Sequence, residues 1–394
     1  MAYWNRDNRQ ANLNRNDPEN SNSNNGVRGA VRDYVLFRNF IQPPSILPIS
    51  VSLLCVWKIL VSLAIFNSRK SRNFKIDISS IDLSIVNIWQ IWFKFRKGKR
   101  KTKELEIFSY YLEQNLEALY SDLNADRYKH GEYKKFIVTD SKRREIRVAD
   151  IRDRVVHRLL YEYLYQIYDK TFIYDVWSCR ENKGLLGAIE RAQRFISKYP
   201  NSFIWRSDIK KFFDNIDQQT LIEVLCLRIK DIKAINILKE VIKSYSLHKG
   251  IPIGNLTSQI FANIYLNELD RLLKHTIKPQ AYLRYGDDFI IISENLDQLK
   301  QDRVKIIKFI KGRLRLEINI KNDIIIKAKW GLKFLGVWIF PRGRKLNKRN
   351  WQRAKDKLNH KNISSYSGLV KQHSKEKRIK EFNWLVLEKL NNEL

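Results

Sequence analysis

Residues 281–292 read Ala-Tyr-Leu-Arg-Tyr-Gly-Asp-Asp-Phe-Ile-Ile-Ile. The two acidic residues, Asp287 and Asp288, stand in a glycine-containing turn between two apolar segments, which predicts a β-hairpin. Like charges this close together at the ends of buried strands repel each other and are costly unless a cation binds there. A pair of Mg²⁺ ions about 3.5–4 Å apart would resolve the conflict and clamp the entering and leaving oxygens of an in-line displacement. The stretch therefore predicts a metal-dependent site.

A third carboxylate lies about 80 residues upstream of this hairpin. Residues 203–207, Phe-Ile-Trp-Arg-Ser, read as a buried strand that ends at Asp208. An isolated Asp-Asp pair is usually only a turn. The combination of Asp208 at a strand end with Asp287 and Asp288 in an apolar hairpin favours a catalytic interpretation.

The composition of the chain indicates what class of partner this site has. The 394 residues are 44% hydrophobic and carry 74 Lys and Arg against 42 Asp and Glu, a formal charge of +32. Such a charge predicts a polyanionic partner. The three cysteines are too few and too scattered for a disulfide framework or a zinc site, so a catalytic metal would have to bind carboxylates. Composition alone leaves a polymerase, a nuclease, a ribosomal protein or a basic scaffold open.

The Tyr-Gly-Asp-Asp hairpin preceded by a strand-terminal Asp resembles the reverse transcriptase family over roughly residues 88–390. The resemblance implies an α+β right-hand polymerase with fingers, an antiparallel palm sheet carrying the hairpin, and a helical thumb. It implies that Asp208, Asp287 and Asp288 are catalytic. It also implies that Asp208, Asp287 and the Ile209 backbone hold two Mg²⁺ ions, supported by Asp288, with Mn²⁺ as a substitute.

The same resemblance assigns residues to the nucleotide and the primer. Phe213 occupies the position of the aromatic steric gate, with a core aromatic as the alternative. Lys142, Arg144 and Arg147 lie where the family binds the incoming triphosphate; we favour Arg144, and any of them is otherwise surface charge. Further residues expected beside the nucleotide are Ile253, Gly254, Gln259, Tyr285 and Lys321. The primer grip is expected at Phe334, Leu335 and Gly336.

Residues 250–259 indicate the subgroup. This chain has Ile253-Gly254 and Ser258-Gln259 where most reverse transcriptases have Gln-Gly and Ser-Pro. The departure resembles the reverse transcriptases of diversity-generating retroelements, which implies template RNA, a DNA primer and cDNA, dNTPs, adenine-directed errors and a small helical accessory protein. A group II intron-type or retron-type enzyme, or a catalytically silent RNA-binding relative, remains the alternative.

The domain interpretation follows this assignment. Residues 1–33 are rich in Asn and read either as a disordered arm or as a translated template repeat. Residues 34–84 read as spacer, whose apolar run at 46–66 is a membrane span in the alternative reading. Met1 is the only methionine, so a shorter natural start near Leu83 or Val86 would not be AUG. Fingers are expected at 85–200, palm with primer grip at 201–340 and basic thumb at 341–394, in a cytoplasmic bacterial or phage protein without a membrane partner.

Local patterns predict individual elements. Apolar residues at helical spacing predict one helix over residues 103–123 and another over 150–168. Short strands are expected at 136–138 and 145–148, joined by a turn. Residues 344–394 are expected to be helical and basic.

Overall fold

The computed structural model describes residues 80–139, 143–246 and 248–393. The proposed arm at 1–33, nearly all of the spacer and Lys142 lie outside these residues. The helices are α1 Ile85–Arg96, α2 Lys103–Tyr110, α3 Leu112–Asn124, α4 Ile151–Tyr168, α5 Leu185–Lys198, α6 Phe212–Asn215, α7 Gln218–Cys226, α8 Ile232–Lys243, α9 Leu256–Arg271, α10 Leu296–Gly312, α11 Lys348–Asp356, α12 Ile363–His373 and α13 Glu376–Glu393. Within the described ranges, no helix has the length and hydropathy that a membrane crossing requires.

Within the residues that the structure describes, the strands form three antiparallel sheets. In chain order they are β1 Lys134–Thr139, β2 Arg143–Val148, β3 Phe203–Ser207, β4 Ala281–Tyr285, β5 Asp288–Ser293, β6 Ile324–Lys327, β7 Leu332–Phe334, β8 Val337–Phe340 and β9 Gly343–Leu346. The first two form a ribbon, β4-β5-β3-β6 form the central sheet, and β7-β8-β9 form a small third sheet. A mixed helix and strand fold with antiparallel sheets is therefore confirmed.

The central sheet is buried on both faces. Because successive side chains of a strand point to opposite faces, β5 divides its apolar run between two cores. Phe289 and Ile291 pack into the larger core, whereas Ile290 and Ile292 pack into the other. Burial on both faces explains why the segment after the acidic pair is continuously apolar rather than alternating.

Several sequence predictions were close, and three need correction. The ribbon strands and the helix ending at Tyr168 are confirmed. The single helix expected at 103–123 is wrong, because the chain breaks into α2 and α3 at Tyr111, whose φ is −101° and ψ 34°. Residues 344–346, expected to be helical, instead belong to β9, which pairs with β8. The third correction concerns where the folded unit begins.

The folded part extends upstream of residue 85. Ile81 and Leu83 are buried in the larger core, with exposed fractions of 7% and 6%. The backbone N–H of Ile81 donates to Asp231 Oδ2 at 2.7 Å, and Asn124 Nδ2 donates to the Leu83 carbonyl at 3.1 Å. A start near Val86 would therefore remove packed residues, so we now expect a shortened chain to need residue 80 onward.

Candidate active site

The hairpin and its neighbouring strand bring the three aspartates to one edge of the central sheet. Strands β4 and β5 pair with Tyr285 opposite Asp288, which leaves Gly286 and Asp287 as the turn. Strand β3 pairs with β5 with Ser207 opposite Phe289, so Asp208 follows β3 at the same edge. The sequence prediction that these acids converge agrees with this register.

Asp208 is oriented by two asparagines. Its backbone carbonyl accepts a hydrogen bond from the Asn319 N–H at 2.8 Å, and its Oδ2 accepts from Asn322 Nδ2 at 3.0 Å and from Asn319 Nδ2 at 3.4 Å. The other oxygen, Oδ1, is buried, and none of the described residues donates to it. A buried carboxylate oxygen without a donor is suited to a cation.

The electrostatics of the hairpin point the same way. Burial, the charge of Asp288 and the charge of Asp208 raise the pKa of Asp287 from 3.8 to about 7, whereas the charge of Arg144 lowers it. Asp288 and Asp208 are therefore close enough to disfavour the ionised form of Asp287, and a divalent cation would reverse that penalty. Asp288 is additionally paired with Arg206, whose Nη2 lies 3.4 Å from Oδ1.

In the described residues, side chains alone do not form a complete set of metal ligands. Among residues 80–139, 143–246 and 248–393, no group of three or more His, Cys, Asp and Glu side chains converges to hold a metal ion. Backbone oxygens would have to contribute. Ile209 is opposite Ile318 in an isolated antiparallel bridge. The hydrogen bonds of this bridge are made by the backbone groups on either side of Ile209, from the Asn319 N–H to the Asp208 carbonyl and from the Lys210 N–H to the Glu317 carbonyl. The Ile209 carbonyl takes part in neither bond.

The two described arginines that were predicted to bind the triphosphate, Arg144 and Arg147, differ in their surroundings. Arg144, on β2, is near enough to Asp287 for its charge to act there. Arg147 instead pairs with Glu145 at 2.6 Å and lies over the Tyr245 ring at 4.5 Å, so its side chain is engaged within the ribbon region. The preference for Arg144 over Arg147 therefore has geometric support, and both roles stay predictions.

The segment around Ile253 and Gly254 is hydrogen-bonded to Arg147 on strand β2 of the ribbon. The Arg147 N–H donates to the Ile253 carbonyl at 3.0 Å, and Asn255 Nδ2 donates to the Arg147 carbonyl at 2.8 Å. Gly254 has φ 120°, and a Cβ there would meet Ile146 at 2.8 Å, so only glycine fits this close approach. Ile253 is half-buried in this turn, and Gln259 is half-buried on α9.

The three remaining residues predicted to contact the nucleotide lie on α6, on β4 and in the turn before β6. Phe213 is half-buried, contacts Phe212 edge to face at 5.3 Å and accepts the Ile251 N–H on its carbonyl at 2.9 Å. Tyr285 is half-buried on β4, and burial raises its pKa to about 12. Lys321 is exposed in the short turn between the two asparagines that bind Asp208.

The predicted primer grip is a tight turn linked to strand β3 through a hydrogen bond of Arg206. Phe334 ends β7, and Leu335 and Gly336 turn the chain into β8 with φ 48° and 84°. Gly336 carbonyl accepts from Asn350 Nδ2 at 3.0 Å, which fixes the turn to α11. Arg206, the partner of Asp288, also donates to the Lys333 carbonyl and so links the two features.

Sequence reasoning missed these supporting side chains. Asn319 and Asn322 lie more than 100 residues after the carboxylate that they bind, and no local pattern marks them. Arg206 stands inside the quoted strand, but its alternation with buried residues indicates only a strand, not its partner.

Comparisons with known proteins identify the family. The family model described as "Reverse transcriptase (RNA-dependent DNA polymerase)" matches residues 129–339, more than half of the chain. The group II intron-encoded protein LtrA of Lactococcus lactis is 25% identical over 222 residues, covering 39% of this chain and 37% of that protein. The COX1/OXI3 intron 2 protein of Saccharomyces cerevisiae is 25% identical over 287 residues, covering 56% of this chain and 33% of that protein.

Protein YkfC of Escherichia coli is 22% identical over 241 residues, covering 50% of this chain and 63% of that protein. This chain thus spans between 33% and 63% of the length of these three curated relatives. Among solved structures, telomerase from Candida albicans with a fragment of telomeric RNA superposes with a TM-score of 0.45 at 14% identity, over 68% of this chain and 58% of that one. On the match of the family model over more than half of its length, the chain belongs to the reverse transcriptase family.

Proposed function

We propose that the protein is an RNA-directed DNA polymerase whose catalytic carboxylates are Asp208, Asp287 and Asp288. Two observations together carry the proposal: a buried Asp208 oxygen receives no hydrogen bond from the described residues, and the pKa of Asp287 is raised to about 7 by burial and by its acidic neighbours. Both features indicate a site built for cations. Two bound Mg²⁺ ions would supply Lewis-acid stabilisation of the attacking 3′-hydroxyl and the leaving pyrophosphate.

The protein groups have separate roles in this proposal. Asp208 and Asp287, with the Ile209 carbonyl, would hold the ions, and Asn319 and Asn322 would keep the Asp208 carboxylate turned toward them. Arg144 would bind the incoming triphosphate, because a guanidinium matches phosphate geometry with paired hydrogen bonds.

Phe213 would exclude a ribonucleotide by meeting its 2′-hydroxyl. The residue is half-buried on α6, five residues after Asp208, and its carbonyl accepts a hydrogen bond from the Ile251 N–H at 2.9 Å. A rigid aromatic wall can discriminate against one additional oxygen by shape.

In the same proposal, residues 85–200 form the fingers, 201–340 the palm and 341–394 the thumb. The thumb assignment is supported by exposed cations at the start of α11, among them Lys348 and Arg349, while Trp351 and Ala354 of the same helix are buried. Such a helix would grip the phosphate backbone of template and primer without reading sequence, and its binding should weaken with salt.

For the biological setting, we propose a diversity-generating retroelement. The support is the Ile253-Gly254 and Ser258-Gln259 departure, together with the packing of this segment against the fingers ribbon. Template RNA, a DNA primer and a small helical accessory protein would be the partners. A group II intron-type enzyme is the second candidate, favoured by the similarity to a group II intron-encoded protein.

The test compares cDNA errors. Ile253 lacks the hydrogen-bonding amide of the more usual Gln, so contacts that penalise a misplaced base pair would be missing. Loss of one or two such hydrogen bonds would reduce discrimination between nucleotides by about 1–3 kcal/mol, or roughly 5- to 150-fold in error rate. Wild type and Ile253→Gln copy one RNA, and errors are scored opposite each template base. Fewer errors opposite adenine in the variant support the retroelement assignment of this residue. Unchanged errors with retained activity contradict it.

A further inference from the structure

The turn residue before Asp287 is held from both sides by buried side chains. Gly286 adopts φ 65°, a conformation that glycine reaches without strain. Its N–H donates to Ser178 Oγ at 2.9 Å, and its carbonyl accepts from Arg284 Nη1 at 2.9 Å. Ser178 and Arg284 are 3% and 0% exposed. Both backbone polar groups of Gly286, one in each of the two peptide units that flank it, are thus held by buried side chains.

Arg284 is itself anchored to helix α9. Its Nε and Nη2 donate to the two carboxylate oxygens of Asp270 at 2.8 and 2.5 Å, and both side chains are fully buried. Tyr282 adds a hydrogen bond to Asp270 at 2.6 Å. Because a buried ion pair is costly to desolvate and is tolerated only with well-satisfied geometry, this arginine has little freedom to move.

One asparagine joins the two clamps. Asn263, 2% exposed on α9, accepts from Arg284 Nη1 at 3.2 Å and donates from Nδ2 to the Ser178 carbonyl at 2.9 Å. The loop carrying Ser178 is also bonded to β4, since the Trp177 N–H donates to the Arg284 carbonyl at 3.0 Å. The serine, the arginine and the hairpin therefore form one connected unit around α9.

We propose that Ser178 and Arg284 are positioning residues that aim the Asp287 carboxylate at the catalytic ions, an inference that rests on the proposed polymerase function. The acidic neighbours of Asp287 push against it, and a flexible turn would let that repulsion rotate the carboxylate away. Bonds to both the N–H and the carbonyl of Gly286 oppose this rotation. Misplacing a catalytic group by about 1 Å can cost about 100-fold in rate.

The experiment compares Ser178→Ala with Ser202→Ala. Ser202 is a matched control, because it is also fully buried and its hydroxyl donates to a backbone carbonyl, that of Tyr199 at 2.7 Å, but at the opposite end of β3. Four quantities are measured on full-length protein: thermal stability, Mn²⁺ affinity by electron paramagnetic resonance, the kcat of primer extension, and the Mg²⁺ concentration for half-maximal primer extension. Ser178→Thr, which keeps the hydroxyl, is the rescue variant.

We expect both alanine variants to lose a similar amount of stability, and only Ser178→Ala to weaken Mn²⁺ binding and lower kcat, by about 5- to 100-fold. Ser178→Thr should recover most of that loss. Arg284→Lys, which keeps the charge but not the forked donors, should resemble Ser178→Ala if it folds.

Two outcomes separate the inference from the function beneath it. If wild type binds Mn²⁺ and extends a primer, while Ser178→Ala matches Ser202→Ala in metal affinity and kcat, the positioning inference is overturned. If wild type itself neither binds Mn²⁺ nor extends a primer, the proposed function fails and the inference falls with it.

Discussion

One buried histidine, His157 on α4, should contribute a loss of stability as the pH is lowered, and comparison with a His157 variant isolates that contribution. The His157 side chain is 1% exposed, with Nε2 at 3.0 Å from His130 Nε2 and Nδ1 at 2.5 Å from Thr257 Oγ1. Burial, together with the charges of His130 and Arg154, lowers its pKa from 6.5 to about 3. The Asp153 carboxylate, on the same helix as His157, lies 3.8 Å from His130 Nδ1.

The direction follows from proton linkage. Above the unfolded pKa of 6.5 both states hold His157 neutral, so it adds no pH dependence. As the pH falls below 6.5, the unfolded chain gains a proton that the folded protein does not accept, and stability falls until about pH 3. Each pH unit costs about 1.4 kcal/mol, which gives about 2 kcal/mol at pH 5.

The assay is urea unfolding at pH 7.5 and pH 5.0 of wild type, His157→Gln and, as control, His275→Gln at an exposed histidine. Glutamine cannot take up the proton, so His157→Gln should lose about 2 kcal/mol less than wild type between the two pH values. The control should follow wild type. An equal pH dependence in all three proteins would refute the reasoning.

Three further outcomes are expected. A chain of residues 80–394 should be more stable than one of 86–394 by about 3–5 kcal/mol, because the shorter chain exposes the sites that Ile81 and Leu83 fill; equal urea midpoints would contradict this. Arg144→Ala should raise the KM for dNTP about 10-fold or more through loss of a charged phosphate contact, whereas Arg147→Ala should do so less, and steady-state kinetics that rank them in reverse would count against the assignment. Phe213→Ala should increase ribonucleotide incorporation on a primed RNA by about 10-fold or more, and unchanged selectivity would assign the ring to packing.

Local patterns in the sequence predicted the catalytic strands well. The strand at 203–207 and the hairpin around Asp287 and Asp288 follow from apolar runs interrupted by acidic turns, whereas their placement on neighbouring strands was implied by the resemblance to reverse transcriptases. The strand and hairpin patterns are short-range, and buried strands of this kind have few alternatives.

The supporting interactions could not be predicted in the same way. Asn322 and Asp208 are 114 residues apart in the chain, and Ser178 reaches Gly286 across 108 residues. Such contacts depend on how separate elements pack, which a single sequence does not encode locally. The break at Tyr111 was also missed. The helical spacing of apolar residues continues through this position, whereas the helical backbone conformation is interrupted there.

The account depends most directly on Asp287. Asp287→Asn should lower the rate of Mg²⁺-dependent dNTP incorporation on a primed RNA about 1000-fold or more, because several kcal/mol of transition-state stabilisation are lost. The affinity for RNA should be nearly unchanged. Without bound metal, the variant should be at least as stable as wild type at pH 8. Because the pKa of Asp287 is raised from 3.8 to about 7 in the folded protein, ionisation of this residue destabilises the fold. The cost is absent below pH 3.8, grows as the pH rises to about 7, and is fully present above that pH. Loss of incorporation in a stable, RNA-binding variant is the predicted result; substantial residual polymerisation would contradict the central claim.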